Sequence, residues 1–261
     1  MTAIVKDQVV RDLERLCCPS CRHGIVPGGA IWSCPGCGRL ISRLAEGLTS
    51  FLTVEETTAR AVLDWPPEFV EALAGWASDD DELGHLPAGF REQLAHYSLI
   101  GPDGRLTPLG AGVQYHVTES RWQAACQDRD GLPALIRGRP RTRVLDIGCG
   151  AAQTLRLLTP SGPAELVGVD SDLIALALGR QFAQVEGIPI SLAGAAADSL
   201  PFPDESFDLV LCRVALNYMH QRRALAEMVR VLVPDGCLYL RVERIWYDAY
   251  LIARAQTARA L

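Results

Sequence analysis

Two acidic residues and a glycine turn near the middle of the chain have the spacing of a nucleoside-binding site. The apolar run Val144–Ile147 contains Asp146 and leads into the turn Gly148–Gly150, and Asp170 ends a second apolar run 20 residues after Gly150. Glycines at a sharp strand-to-helix turn let the backbone approach a ligand closely. A carboxylate at the end of the next strand can bridge the two hydroxyls of a ribose. The pattern predicts a nucleoside-containing cofactor across the ends of two parallel strands.

Four cysteines near the start of the chain have metal-ligand spacing. Two C-x-x-C pairs are separated by twelve residues and consist of Cys18, Cys21, Cys34 and Cys37. Each pair turns two thiolates toward one point, so the four sulfurs can form the closed tetrahedral shell that zinc prefers. Without a signal peptide, this spacing favours zinc over disulfides. We therefore expect a structural zinc ion, with Cys17 and His23 outside the ligand set.

The glycine turn departs from the dinucleotide fingerprint, because Gln153 stands where Gly-x-Gly-x-x-Gly has its third glycine. Asp146 would also repel a pyrophosphate but would suit a cationic ligand. In these features the chain resembles the class I S-adenosylmethionine-dependent methyltransferases, within them the ubiquinone/menaquinone-biosynthesis branch. The resemblance covers roughly residues 143–243 and includes, besides the glycine turn, the segments Val167–Asp170, Leu200–Val210 and Met228–Gly236.

The resemblance implies a cofactor role for each matching residue. Asp146 and the backbone of the glycine turn would hold the methionine portion, Asp170 the ribose, and the backbone near Ala197 the adenine. The residues so assigned to the cofactor are Asp146, Gly148, Cys149, Gly150, Asp170, Ser171, Ala197, Asp198 and Arg213.

One position departs from the family pattern. The family places an Asp that binds the adenine amino group four residues before the leucine that corresponds to Leu200, and this chain has Ala196 there. Losing one hydrogen bond lowers affinity by about tenfold and does not abolish binding. Asp198 could replace the missing carboxylate if the loop is re-registered.

The segment Cys212–His220 is expected to face the transferred methyl group and the acceptor. If the acceptor is a hydroxyl or a protonated amine, a general base assists. Tyr218 and His220 are the local candidates, and His116 could reach the site from the preceding region. No Asn/Asp-Pro-Pro-Tyr/Phe motif follows the fourth strand, which disfavours exocyclic base amines and glutamine side chains as acceptors.

The elements that position these residues divide the chain into three predicted units. Residues 1–52 are predicted as a zinc ribbon, and within them Leu16–Leu52 resembles the small zinc ribbons that accompany some methyltransferases, including bacterial 23S ribosomal RNA guanine-N1 methyltransferases. Residues 53–130 contain two helical patterns, one after Pro66 and one over Pro87–Leu99, and loosely resemble a winged-helix accessory domain. Residues 131–261 form an α/β, Rossmann-like doubly wound sheet. A plain helical lid is the alternative for the second unit.

The end of the chain is shorter than the family pattern requires. Only 18 residues follow Glu243, and Ile245–Leu261 is predicted as one helix. The sheet is therefore expected to lack its last two strands. Either the chain is a fragment of a longer protein, or another element completes or covers the sheet edge.

Charge and apolar content limit the kinds of partner and the cellular location that we expect. The net charge of −6 disfavours a nucleic-acid partner, and without an 18-residue apolar run or a signal peptide we expect a cytoplasmic protein without membrane contact. The sequence predicts methyl transfer from S-adenosylmethionine to a small molecule, with a homodimer through the accessory unit as one arrangement. An RNA methyltransferase and a non-catalytic scaffold remain as alternatives.

Overall fold

The computed structural model describes residues 16–46, 48–52, 56–76, 86–126, 132, 134, 142–158 and 164–242, without the side chains of 121–126. The predicted terminal helix Ile245–Leu261 lies outside these residues. The eight strands described are β1 (Ile31–Ser33), β2 (Leu40–Ala45), β3 (Leu48–Ser50), β4 (Thr142–Ile147), β5 (Ala164–Asp170), β6 (Ser191–Gly194), β7 (Phe207–Arg213) and β8 (Leu232–Arg241).

The helices of the described residues fall before, between and after the parallel strands. They are α1 (Glu56–Leu63), α2 (Pro67–Ala74), α3 (Ala88–His96), α4 (Pro108–Cys126), α5 (Gln153–Leu158), α6 (Leu173–Glu186) and α7 (Gln221–Val231), with a 3₁₀ turn at Leu216–Tyr218. Among them, none combines the length and apolar character needed to cross a lipid bilayer.

All eight strands form one sheet in the order β1-β2-β3-β6-β5-β4-β7-β8. The strands from β3 to β8 pair in parallel, and the doubly wound α/β fold predicted from the sequence is confirmed. In the described residues the sheet ends at β8. Exposed apolar residues, Leu240 and Val242, lie at the end of that strand.

The N-terminal strands continue this sheet. A separate ribbon is predicted for residues 1–52, but Leu48 pairs with Leu192 and Ser50 with Gly194 in a parallel ladder between β3 and β6. Phe51 N then donates to Gly194 O at 2.7 Å. Since backbone hydrogen bonds close the sheet edge here, the ribbon strands are structurally part of the α/β unit.

Alternation along the strands divides the core into two layers. Val144, Leu166 and Leu192 pack on one face with α1, α2, α4, α5 and α6. Leu145 and Val167 pack on the other face with α7 and with residues of the N-terminal strands, including Trp32, Ile41 and Phe51. The N-terminal strands thus cover part of the second face of the sheet, where a doubly wound fold needs an apolar partner.

The helices before β4 also belong to this core. α2 begins at Pro67 and α4 begins just after a bridge between Ile100 and Leu106, where the sequence predicts a helix, a turn and a short strand. The amide of Gln181 on α6 is buried and donates to the carbonyls of Val62, Leu63 and Trp65 at 2.8–3.1 Å. These bonds fix the junction of α1 and α2 against the sheet helices. A two-stranded wing is not seen among the described residues 97–107.

Candidate functional site

The turn after β4 needs glycine both for its conformation and for its close packing. Gly148 and Gly150 have φ of +73° and +53°. A Cβ on Gly148 would lie 2.2 Å from Cβ of Ala215 and 3.0 Å from Cε of Met219. The backbone N–H groups of Gly148 and Cys149 both donate to Val169 O, at 2.8 and 3.1 Å. The turn is therefore held against the end of β5 and leaves no space for a side chain at Gly148.

Asp170 is oriented by backbone groups on both of its oxygens. Oδ2 accepts from Gly150 N at 2.7 Å and Oδ1 from Asp172 N at 2.9 Å. Burial raises the pKa of Asp170, while these two hydrogen bonds oppose the rise. Each oxygen keeps a further lone pair, so the carboxylate is preorganised to accept hydroxyl hydrogens.

A cleft of about 210 Å³ opens where the glycine turn, the end of β5 and the loop after β6 meet. The sequence-predicted residues that line it are Gly148, Asp170, Ser171, Ala197, Asp198, Tyr218 and His220. Lining residues to which the sequence assigns no binding role are Ile147, Val169, Ala195, Met219 and Ala196, the last being the position that departs from the family pattern. Most of these five stand at strand ends or beside a predicted site residue, and their apolar types carry no chemical signal of their own.

Asp146 and Arg213 form a buried charged group beneath the cleft. Both are nearly inaccessible, 2% and 6% exposed, and neither lines the cleft. Arg213 Nη1 donates to Thr154 Oγ1 at 3.1 Å, and the Arg213 charge favours the Asp146 carboxylate. Burial nevertheless raises the pKa of Asp146 to about 7. The sequence assigns both residues to the cofactor but gives no indication that they interact.

Asp146 retains an unused acceptor. Within the described residues, Asp146 Oδ1 is buried and has no hydrogen-bond partner. An orphaned carboxylate oxygen next to the ligand-lining residues Ile147 and Gly148 fits a site for a cationic group, because such a group would satisfy the oxygen and neutralise its charge.

Cys149 and Gly150 contribute to the turn without lining the cleft. A Cβ added to Gly168 would lie 2.7 Å from Cys149 Sγ, so this thiol packs against β5. Burial raises the pKa of the Cys149 thiol well above its usual value. These contacts describe a small core residue in the turn rather than a reactive thiol.

The loop after β6 brings both candidate adenine-side positions to the cleft. Ala196 and Asp198 line it together, and Ser199 N donates to Ala196 O at 3.1 Å in a tight turn. Ala196 offers no side-chain polar atom at the position where the family has Asp. Asp198 places a carboxylate in the same cleft two residues later.

The candidate bases occupy the rim. The 3₁₀ turn Leu216–Tyr218 leaves Tyr218 74% exposed, and His220 precedes α7 without capping it through its side chain. Val214, just before this turn, has φ of +64°, a conformation that is strained for a β-branched residue. Its N–H donates to Arg241 O at 2.7 Å, which holds the chain as it leaves β7 toward the rim.

His116 lies on the other side of the glycine turn. A Cβ on Gly150 would be 3.4 Å from Cε1 of His116, and His116 Nε2 is 3.9 Å from Asp172 Oδ2. The structure thus brings His116 next to Gly150 and Asp172, whereas Tyr218 and His220 line the cleft from the segment after β7.

The four predicted metal ligands converge on one point. Their Sγ atoms lie within 4.8 Å of one another, with Cys18–Cys37 at 3.6 Å and Cys21–Cys34 at 3.3 Å, and all four cysteines are free of disulfides. A tetrahedral metal with bonds of about 2.3 Å separates its sulfurs by about 3.8 Å, so the cluster fits such an ion.

Each C-x-x-C pair is closed by the same backbone turn. Arg22 N donates to Cys18 O and Gly38 N to Cys34 O, both at 2.8 Å. Arg22 and Gly38 both have positive φ, 63° and 74°. Cys17 lies outside the ligand cluster, and its backbone N–H donates to Pro201 O at 3.0 Å.

Comparison with known proteins agrees with this geometry. Residues 145–240 match the family model described as "Methyltransferase domain". The chain is 40% identical over 100 residues to the uncharacterized methyltransferase YcgJ of Bacillus subtilis, covering 38% of this chain and 39% of that protein. It is 37% identical over 185 residues to the ubiquinone/menaquinone biosynthesis C-methyltransferase UbiE of Laribacter hongkongensis, covering 66% and 68%.

Among solved structures, the crystal structure of YcgJ from Bacillus subtilis is similar, with 36% identity and a TM-score of 0.41 over 44% of this chain and 50% of that one. In the sequence comparisons, the matched region spans 39% of the length of YcgJ and 68% of the length of the UbiE protein.

Proposed function

Since this chain belongs to the class I S-adenosylmethionine-dependent methyltransferases, we propose that it transfers a methyl group from S-adenosylmethionine to a small organic acceptor. The observation that carries the proposal is the convergence, in one cleft, of the glycine turn, the backbone-oriented Asp170 and the loop bearing Asp198. A glycine turn and an oriented carboxylate at the ends of adjacent parallel strands suit a nucleoside placed across them.

The residues that would hold the cofactor differ in how they act. Asp170 would accept the ribose hydroxyls and Asp198, with the backbone near Ala197, would meet the adenine. Asp146 would attract the cationic amino end through its unused Oδ1, and Arg213 would act on the cofactor only through Asp146. When bound, S-adenosylmethionine supplies a methyl group on a sulfonium that is already reactive, so the protein contributes mainly alignment and exclusion of water.

The rim formed by the segment after β7 is where we place the acceptor. Tyr218 and His220 line it, and either could take a proton from an acceptor hydroxyl or amine. The UbiE relatives are named as C-methyltransferases of quinone biosynthesis, which supports a small-molecule acceptor without fixing the atom that is methylated. A homodimer through the helices before β4 and a cytoplasmic location stay predictions.

Zinc is the metal we propose for the four cysteines. Four thiolates leave no open coordination position, so the ion would stabilise the N-terminal strands and take no part in the chemistry. The sulfur distances support a tetrahedral ion. Metal analysis of the purified chain should give one zinc per chain, and a zinc content near zero would contradict this assignment.

Calorimetric titration with S-adenosylhomocysteine, the demethylated product, tests the cofactor assignment. We expect micromolar binding by the wild type and at least tenfold weaker binding by Asp170→Ala. Asp208→Ala is a matched control. Asp208 lies near the start of β7, at the end of the strand away from the cleft, and bonds only Arg143 among the contacts described. No binding at high micromolar concentration would contradict the enzyme assignment and leave the scaffold alternative.

Product profiling with isotope-labelled S-adenosylmethionine and a cell extract identifies the acceptor. With that acceptor in hand, removal of a general base should lower kcat by about 10²–10⁴ with little change in KM. Tyr218→Phe and His220→Gln are the variants to compare. The fall of activity toward acid pH should disappear only in the variant that lacks the base, because a base must be deprotonated to act. Labelled RNA instead of a small product would favour the ribosomal or transfer RNA alternative.

A further inference from the structure

The first C-x-x-C pair contacts the loop that lines the adenine side of the cleft. We call residues 195–203 the cleft loop and residues 17–22 the first knuckle. Ser199 Oγ donates to Pro19 O at 3.1 Å, Cys17 N to Pro201 O at 3.0 Å, and Arg22 Nη1 to Leu200 O at 2.7 Å. The cleft loop is thus bonded to the metal-ligand segment within one to four residues of Ala197 and Asp198.

A buried carboxylate joins the two segments to a helix. Glu227 on α7 accepts from both Arg22 Nη2, at 3.0 Å, and Leu200 N, at 2.8 Å. Arg230 donates to the same carboxylate at 2.7–2.8 Å and to Phe202 O at 2.8 Å. Although burial acts to raise it, hydrogen bonds from Arg230, Leu200 and Arg22 lower the pKa of Glu227 to about 2. The carboxylate is therefore ionised at every physiological pH and always available to both guanidinium groups.

The backbone of Arg22 is also unusual. In the second C-x-x-C pair the corresponding turn position is Gly38, the residue type suited to positive φ, whereas the first pair has an arginine at φ of 63°. A non-glycine residue in this region is conformationally disfavoured. Glycine would satisfy the metal turn alone, so the presence of arginine is explained by its contacts with Leu200 and Glu227 and not by the turn.

We propose that the first knuckle is a positioning element for the cofactor, in which metal-fixed residues hold the cleft loop in its binding conformation through Arg22. This inference rests on the proposed function, because it concerns affinity for the cofactor. The metal fixes Cys18 and Cys21, which fixes the carbonyl of Pro19 between them and the turn that directs Arg22. Arg22 then holds the backbone of Leu200, two residues beyond Asp198. Arg22 is a positioning residue, since it does not line the cleft.

Arg22→Gly is the sharpest variant. It removes the guanidinium yet suits the positive φ of the turn, and Glu227 keeps Arg230 and the Leu200 N–H as partners, so no buried charge is left unpaired. Arg39→Met is the matched control. Arg39 lies just before β2 and donates to Ser20 Oγ of the first knuckle and to Phe51 O, but it does not contact the cleft loop in the described structure. Its removal therefore disturbs a contact of the first knuckle without breaking the link from the knuckle to the cleft loop.

Two measurements are made on the full chain of each variant loaded with zinc. Titration with S-adenosylhomocysteine should show about tenfold weaker binding by Arg22→Gly and a change within about twofold for Arg39→Met, at equal zinc content. Hydrogen exchange of the peptide covering residues 195–203, without cofactor, should be at least tenfold faster in Arg22→Gly. It should also be faster in the wild type after zinc is removed by a chelator.

The outcomes separate the two ideas. Wild-type affinity in a zinc-loaded Arg22→Gly, together with unchanged exchange of the cleft loop, overturns the positioning role. If the wild type itself fails to bind S-adenosylhomocysteine, the proposed function fails, but exchange of the cleft loop still decides the coupling. Faster exchange in Arg22→Gly then supports the coupling, and equal exchange contradicts it.

Discussion

The two walls of the cleft are built in different ways. The wall at the glycine turn is made by neighbours in sequence, since Gly150 bonds Asp170 only 20 residues away and Gly148 bonds Val169. The opposite wall, the cleft loop, is held by partners far away along the chain, with Arg22 178 residues from Leu200 and 205 residues from Glu227. A local motif can therefore specify half of a binding site, while the other half depends on a segment that is distant along the chain.

The largest effect on stability is expected from removing Arg213, which lies beside Asp146 beneath the glycine-turn wall. Arg213→Met removes the cation beside buried Asp146, and at pH 8 we expect unfolding to become easier by about 1–2 kcal/mol, because the Asp146 carboxyl, whose pKa is about 7 with the cation present, then takes up a proton. The loss should shrink at pH 6, because the carboxyl is already protonated there in the wild type. Denaturant unfolding at both pH values measures it. Arg143→Met, which removes a part-exposed ion pair with Asp208, should cost under about 1 kcal/mol at either pH.

The second effect is a dependence of cofactor affinity on pH, which arises from Asp146 beneath the same wall. Because burial raises the pKa of Asp146 to about 7, binding of a cationic group below pH 7 must expel a proton. The affinity for S-adenosylmethionine should therefore fall by up to about tenfold per pH unit between pH 7 and 5 and be highest just above pH 7, because an α-amino group loses its own proton above about pH 7.7–8.0. The carboxyl of Asp170, whose pKa is also raised, contributes in the same direction.

Calorimetry across this pH range measures the slope, and Asp146→Asn should flatten it. A slope that is unchanged in Asp146→Asn would exclude Asp146 as its source. The stability of the fold changes with pH in the opposite direction to cofactor affinity, because the folded state holds a proton on Asp146 that the unfolded state releases. The stabilisation from this proton is complete below the ordinary pKa of 3.8 and is lost as the pH rises through about 7.

The smallest effect concerns the adenine side of the second wall. Asp198→Ala should weaken binding of S-adenosylhomocysteine by about tenfold, the size of one hydrogen bond, if Asp198 replaces the carboxylate that is missing at Ala196. Ala196→Asp should raise the affinity by a similar factor and make the loss of Asp198 less costly in the double variant. Equal affinity of Asp198→Ala and the wild type would show that only the backbone of this loop meets the adenine.

The sequence was sufficient for the parts of the molecule that depend on short-range patterns. The α/β fold class, the glycine turn, the four-cysteine cluster and the placement of Asp170 and Asp198 at the cleft follow from motifs of fewer than about 25 residues. The helix starts near Pro67 and Pro108 are likewise local, because proline is tolerated in the first turn of a helix.

What the sequence did not show depends on tertiary contacts. Arg213 was assigned to the cofactor, and its burial beside Thr154 has no sequence signal because arginines are normally exposed. The parallel pairing of β3 with β6 joins segments that no periodicity connects. Glu227 carries only a weak sequence signal, namely its place among the apolar positions of an amphipathic helix.

The pairing of Leu48 with Leu192 also has a consequence for how the chain is made. The N-terminal strands emerge from the ribosome long before the edge strand to which they attach, and at 5–20 residues per second the wait is roughly 7–30 seconds. During that interval all four cysteines are already synthesised, so the zinc that we propose for them would bind before the sheet closes. Chelation during translation should therefore impair assembly more severely than chelation of the finished protein.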